Sequence, residues 1–197
     1  MENEVGESAR VRPERKSMTP LQKMAMGLVV VALDTLGGEG IGAWDLLPDF
    51  IGWAMVAWGI VSLGIPQRTQ LLSLAALAAV VSLVFWFPFM QTQLRDAELA
   101  LKWAASLPDL AFVIATAIAF KAAARAAGDR KFFARFGLTL WFAVIVAALP
   151  ALASAADSQA MLDYAELGFV LLWLWLIWNL FAAHARPWAA GEPAPSP

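Results

Sequence analysis

The chain has no cysteine. Disulfides, thiolate metal sites and cysteine nucleophiles are excluded together. A single histidine, His184, rules out any centre built from several imidazoles. Charge is scarce too: Asp, Glu, Lys and Arg make up 15% of the chain, against about 25% in soluble domains. There is no glycine-rich phosphate loop with its lysine, no HExxH helix and no GxSxG elbow. No carboxylates show the doubled spacing of a two-metal or glycosidase site on one helix. Neither enzymatic activity nor a cofactor or metal is expected.

What is present is apolar. Of the 197 residues, 60% are hydrophobic, where soluble domains carry about 45–50%. A soluble fold of this length leaves too much surface exposed to hide that share, so lipid is the expected solvent. Ten Trp and one Tyr fit anchoring at a membrane–water interface. Six apolar runs stand out: Leu21–Leu36, Pro48–Ile65, Leu71–Phe89, Pro108–Ala124, Gly137–Ala156 and Ala165–Ala183. Each is near the ~20 residues a spanning helix needs, and their length favours helix over strand. The first run is the shortest and carries Asp34. The expected fold class is all-α, a polytopic membrane bundle of six transmembrane helices over residues 20–186. The polar residues 1–19 and the Pro- and Ala-rich residues 187–197 cannot bury enough apolar surface to offset ordering, so disordered cytoplasmic tails are expected there.

Charge placement sets the orientation. Twelve of the fourteen basic residues fall before the first run or in its first turn (Lys23), between the second and third, at the end of the fourth (Lys121) or between it and the fifth, or after the sixth. Only Arg95 and Lys102 fall on the alternate side. The positive-inside rule then puts both termini in the cytoplasm. Ten acids take the opposite side: Asp34, Glu39, Asp45, Asp49, Asp96, Glu98, Asp109, Asp157, Asp163 and Glu166. A signal peptide over residues 1–43 is the alternative, but Asp34 interrupts its apolar stretch and cleavage would leave five spans. Gln93–Ala104 alternates charge with Leu, Ala and Trp. It is expected to lie along the outer surface, or to extend the fourth span up to a break at Pro108. The basic clusters flank apolar helices and fit topology and anionic lipid, so nucleic acid is not implied.

The outer acids recur in a pattern. Leu47-Pro48-Asp49 opens the second run and Leu107-Pro108-Asp109 the fourth, while Asp163 and Glu166 flank the start of the sixth. The spacing reads as three helical hairpins, each returning from an acidic start. Proline suits a first helical position, and an acid beside it meets the positive end of the helix dipole. Asp45 can cap free N–H groups just before. Helix starting is therefore the plain role for these acids. The functional alternative is that Asp34, Asp45, Asp49 and Asp109 converge at the outer mouth of the bundle and bind a cation or a basic ligand. Asn179, within LIWNLF, is expected to make an interhelical polar contact. Trp175 and Trp178 are expected to share a face of the sixth helix, away from Trp173. Gly52, Ala54, Ala57 and Gly59 permit close helix approach. Pro150 is expected to kink or end the fifth span.

The stretch DLLPDFIGWAMVAWGI, through Leu47, Pro48, Asp49, Ile51 and Gly52, resembles a segment of small multi-pass membrane proteins of Gram-positive bacteria. The resemblance covers about a tenth of the chain; it implies a bacterial plasma membrane and brings no activity with it. The expected function is a non-enzymatic accessory, assembly or immunity-type subunit. Its surroundings would be the lipid bilayer and a membrane-protein partner or a second copy of itself. Its acidic outer face would meet a cation or basic partner. The alternative is a small transporter or substrate-capture subunit with an outward-facing polar cavity reaching Asp34 or Asn179.

Overall fold

The computed structural model describes residues 18–36 and 49–190. Asp45, Glu39, the N-terminal tail to residue 17 and residues 191–197 lie outside the described residues, as does the side chain of Asp34. Among the described residues there is no strand. The helices are α1 (Pro20–Leu36), α2 (Asp49–Val61), α3 (Arg68–Phe85), α4 (Pro88–Arg95), α5 (Leu99–Ala126), α6 (Arg130–Ala155), α7 (Gln159–Ala183) and α8 (Pro187–Ala190). Four of them, α3, α5, α6 and α7, are long and apolar enough to cross a membrane. At about 1.5 Å per residue, the 28 residues of α5 exceed a ~30 Å hydrocarbon core. α1, with 17 residues, and α2, with 13, are shorter apolar helices.

The six longer elements close into a ring in chain order. α1 packs on α2, α2 on α3, α3 on α5, α5 on α6, α6 on α7, and α7 back on α1. α4 sits at the edge, against α3 and α5. The outward faces are apolar: Trp58, Val80, Leu138, Trp141, Ile145 and Trp178 are all exposed. Soluble monomers rarely expose contiguous apolar patches beyond a few hundred Å², and a girdle of this kind suits lipid.

Local chemistry explains the turns. α5 ends on Gly128 at φ +70. The Asp129 N–H reaches the Ala124 carbonyl at 2.9 Å and the Gly128 N–H reaches that of Arg125 at 3.1 Å, the paired bonds of a Schellman stop. The Asp129 carboxylate then accepts from the Phe132 N–H at 3.2 Å and starts α6. α6 stops in the same way, with Asp157 at φ 47 in the left-handed position and the Ser158 N–H on the Ala153 carbonyl at 3.0 Å. One of the acids expected on the outer side therefore serves a turn, since Asp tolerates this conformation better than most residues.

Several expected boundaries move. The third run does not reach Phe89 as one helix. Pro88 forces Phe87 into an extended conformation and restarts the chain as α4. α2 ends at Val61 rather than Ile65. α5 runs straight through Pro108 and α6 through Pro150, so neither proline ends its helix. The cost of one missing backbone bond is tolerated where neighbouring helices hold the segment. Helix also extends past residue 186. Pro187–Ala190 form α8, with Ala189 buried. The Trp188 ring meets Phe120 and Phe132 at 6.4 and 5.8 Å. α8 touches both α1 and α5, which are not ring neighbours, so it lies across that end of the ring.

Candidate functional site

The centre of the ring is aromatic. Trp53 on α2 packs edge-on against Phe112 of α5, ring centroids 5.0 Å apart, and against Trp173 of α7 at 6.0 Å. Phe169 lies 6.2 Å from Trp173. Trp53 and Phe112 are fully buried and Trp173 nearly so. Three non-adjacent members of the ring thus meet through one indole.

The two Leu-Pro-Asp acids flank this contact. Asp49 lies one turn before Trp53 and Asp109 three residues before Phe112. α3 returns between α2 and α5, with Trp86 just past its end meeting Phe50 at 6.0 Å. α2 and α5 therefore run in the same sense, and both half-buried carboxylates stand on one side of the aromatic floor. Their local roles differ. Asp49 is the first residue of α2 and sits where the helix dipole favours an acid. Asp109 does not start a helix. Ten residues of α5 precede it, so the helix-start role expected from Pro108 does not apply. Among the described residues, the Asp109 carboxylate has neither a hydrogen bond nor an ion pair.

Comparison with protein-family models, with curated proteins and with solved structures finds no match to this chain.

Asp163 is the fifth residue of α7, exposed, and accepts a bond from the Gln159 amide at 3.0 Å. The three acids therefore stand differently: one starts a helix, one sits inside a helix, and one lies exposed just past the first turn of its helix. Asp34 belongs to the last turn of α1, and Asp45 falls outside the described residues. Among the described residues, no three His, Asp or Glu side chains gather to hold a metal.

Asn179 is fully buried. Its amide N–H donates to the Trp175 carbonyl at 2.9 Å, within its own helix, so the interhelical bond expected of it is not made there. The residue pair that crosses helices is a different one. The Trp175 indole N–H donates to the Thr139 hydroxyl of α6 at 3.0 Å, and that hydroxyl donates to the Arg135 carbonyl at 3.0 Å. Trp175 and Trp178 also part company: Trp178 is 61% exposed while Trp175 is half-buried against α6. The signal in the sequence was Thr139, a hydroxyl near the start of an apolar run. Thr139→Val keeps the shape and removes the acceptor. Thermal unfolding in detergent should show a loss of about 0.6–1.7 kcal/mol.

Proposed function

We propose that the chain is an integral protein of the bacterial plasma membrane, with six spans and both termini in the cytoplasm. In this reading, α1 and α2 are the first, short hairpin, α3 and α5 the second, and α6 and α7 the third. It acts as a non-enzymatic accessory, assembly or immunity-type subunit. The acids at the outer side, Asp49 and Asp109 with Asp34 and Asp45, meet a cation or a basic group of a membrane-protein partner.

The observation that carries the accessory reading over transport is the filled centre. Trp53, Phe112 and Trp173 interlock across the ring, and Asn179 beneath them is 0% exposed. A transporter cavity reaching Asn179 has no such plug. The observation favouring the second reading, a small transporter, is Pro108 beside Asp109 inside α5. Interrupted backbone bonding next to an acid is how transporters hold ions.

The test is native mass spectrometry after gentle detergent extraction. The wild-type protein should carry a partner subunit or a basic small molecule. Asp109→Asn should weaken retention at least about tenfold, as truncating one member of a desolvated charge pair does, at an unchanged melting temperature. Equal retention by both proteins would leave Asp109 without a ligand role.

A further inference from the structure

At the opposite end of the ring, α8 and the α5–α6 turn build a corner around Phe132, which is 1% exposed. The guanidinium carbon of Arg186 lies 5.1 Å from the centre of its ring and that of Arg135 5.4 Å. Beside them, Lys121 places its ammonium 5.1 Å from the ring of Phe133. Stacking on an aromatic ring fixes a guanidinium plane and leaves its N–H fork free for an anion.

The acid available here is already committed. One oxygen of Asp129 caps α6 by accepting from the Phe132 N–H. The other accepts from the Trp188 indole at 3.3 Å and lies 3.6 Å from the Arg186 Nε. Among the described residues, the terminal nitrogens of Arg186 have no other acid within ion-pair distance. Among the described residues, no carboxylate lies within ion-pair distance of Arg135. Arg135 is half-buried, and a partly desolvated cation without a counter-charge is costly. Among the described residues, the corner holds two guanidinium groups and one carboxylate.

We propose that Arg135 and Arg186, held over Phe132 beside α8, bind the phosphate of an anionic phospholipid. Arginine pairs recognise phosphate by parallel N–H bonds. The surface of α6 beyond Arg135 favours a lipid source over free phosphate. Leu138, Trp141 and Ile145 are 56%, 68% and 56% exposed and form an outward apolar stripe leading away from the corner. A headgroup at Arg135 lets its acyl chain lie along that stripe. The inference rests on the membrane reading above, and its test separates the two.

The full chain is purified in mild detergent and offered phosphatidylglycerol or phosphatidylcholine of the same chain length, and retention is read by native mass spectrometry. The wild-type protein should retain phosphatidylglycerol preferentially. Arg135→Gln and Arg186→Gln should each lower that retention about fivefold, the effect of one basic residue at an anionic surface. Lys131→Gln removes an exposed charge outside the corner and should leave it unchanged. Arg135→Lys keeps the charge without the planar fork and should fall between. The wild-type preference between the two lipids is read without any variant, so a misfolded variant does not blunt the test. No lipid preference, or an equal loss in Lys131→Gln, overturns the proposal. Displacement of the lipid by millimolar inorganic phosphate would overturn the lipid source. A chain that stays dissolved without detergent would instead overturn the membrane reading.

Discussion

Gly52→Val should prevent α1 and α2 from docking and yield little folded protein, the largest single effect expected in the molecule. A Cβ at Gly52 would stand 2.7 Å from the carbonyl oxygen of Gly27 and 2.7 Å from Cγ2 of Val31. At Gly27 it would stand 2.5 Å from the carbonyl oxygen of Gly52. At Gly59 it would meet the Pro20 carbonyl at 2.7 Å and the Met24 nitrogen at 2.9 Å. At each position at least one obstacle is a backbone atom, which no rotamer change relieves. The two helices come main chain to main chain at Gly27, Gly52 and Gly59. In lipid, such close approach supplies much of the association, because apolar burial alone does not distinguish a neighbour helix from an acyl chain. Gly52→Ala should already cost about 1–3 kcal/mol by overpacking, and valine should cost more. Gly137→Ala is the control. Its Cβ would meet only the end of the Lys121 side chain at 3.7 Å. That substitution should gain about 0.5–1 kcal/mol from helix propensity. Thermal unfolding in detergent reads both.

Trp53→Ala should destabilise the bundle by about 3–5 kcal/mol, the range for emptying a fully buried large aromatic position. Trp53 is the side chain through which α2 meets α5 and α7, and α2 is 13 residues long with five buried positions to hold it. Trp53→Phe should cost much less, about 1.5 kcal/mol or below. Its indole N–H has no hydrogen-bond partner among the described residues, so no bond is lost. The pair of substitutions separates volume from polarity. It also probes the plug: the alanine variant should let water reach the level of Asn179, read as faster amide exchange in α7. A small alanine effect equal to that of phenylalanine would mean the centre is not packed around this ring.

The helical bundle was legible because apolar runs of spanning length leave few alternatives. The glycines of α2 were legible as a site of close approach, but their partner Gly27 was not. One helix shows its own small residues and not the face they meet, and Ala54 of the same set turns outward. Proline misled where it was expected to break α5 at Pro108 or to end α6 at Pro150. Sequence rules count the lost N–H, whereas a long helix held on two sides absorbs it. Asp109 was misread with Pro108, since both looked like the start of a helix that had begun ten residues earlier. The corner around Phe132 was illegible for a different reason. Asp129, Trp188 and Arg186 meet only once α8 folds back, and a Pro- and Ala-rich tail gives no local sign of that.

The arrangement as a whole stands on its sidedness, and a chain without cysteine allows a clean test. Glu98→Cys and Arg130→Cys are made singly, and intact cells are treated with an impermeant thiol reagent. Glu98 precedes α5 and Arg130 opens α6, at opposite ends of the bundle. The thiol at position 98 should react at once, and the thiol at position 130 only after the membrane is opened. Reaction of the thiol at 130 from outside, or equal reaction at both positions, would contradict the proposed threading and the outer acidic face that depends on it.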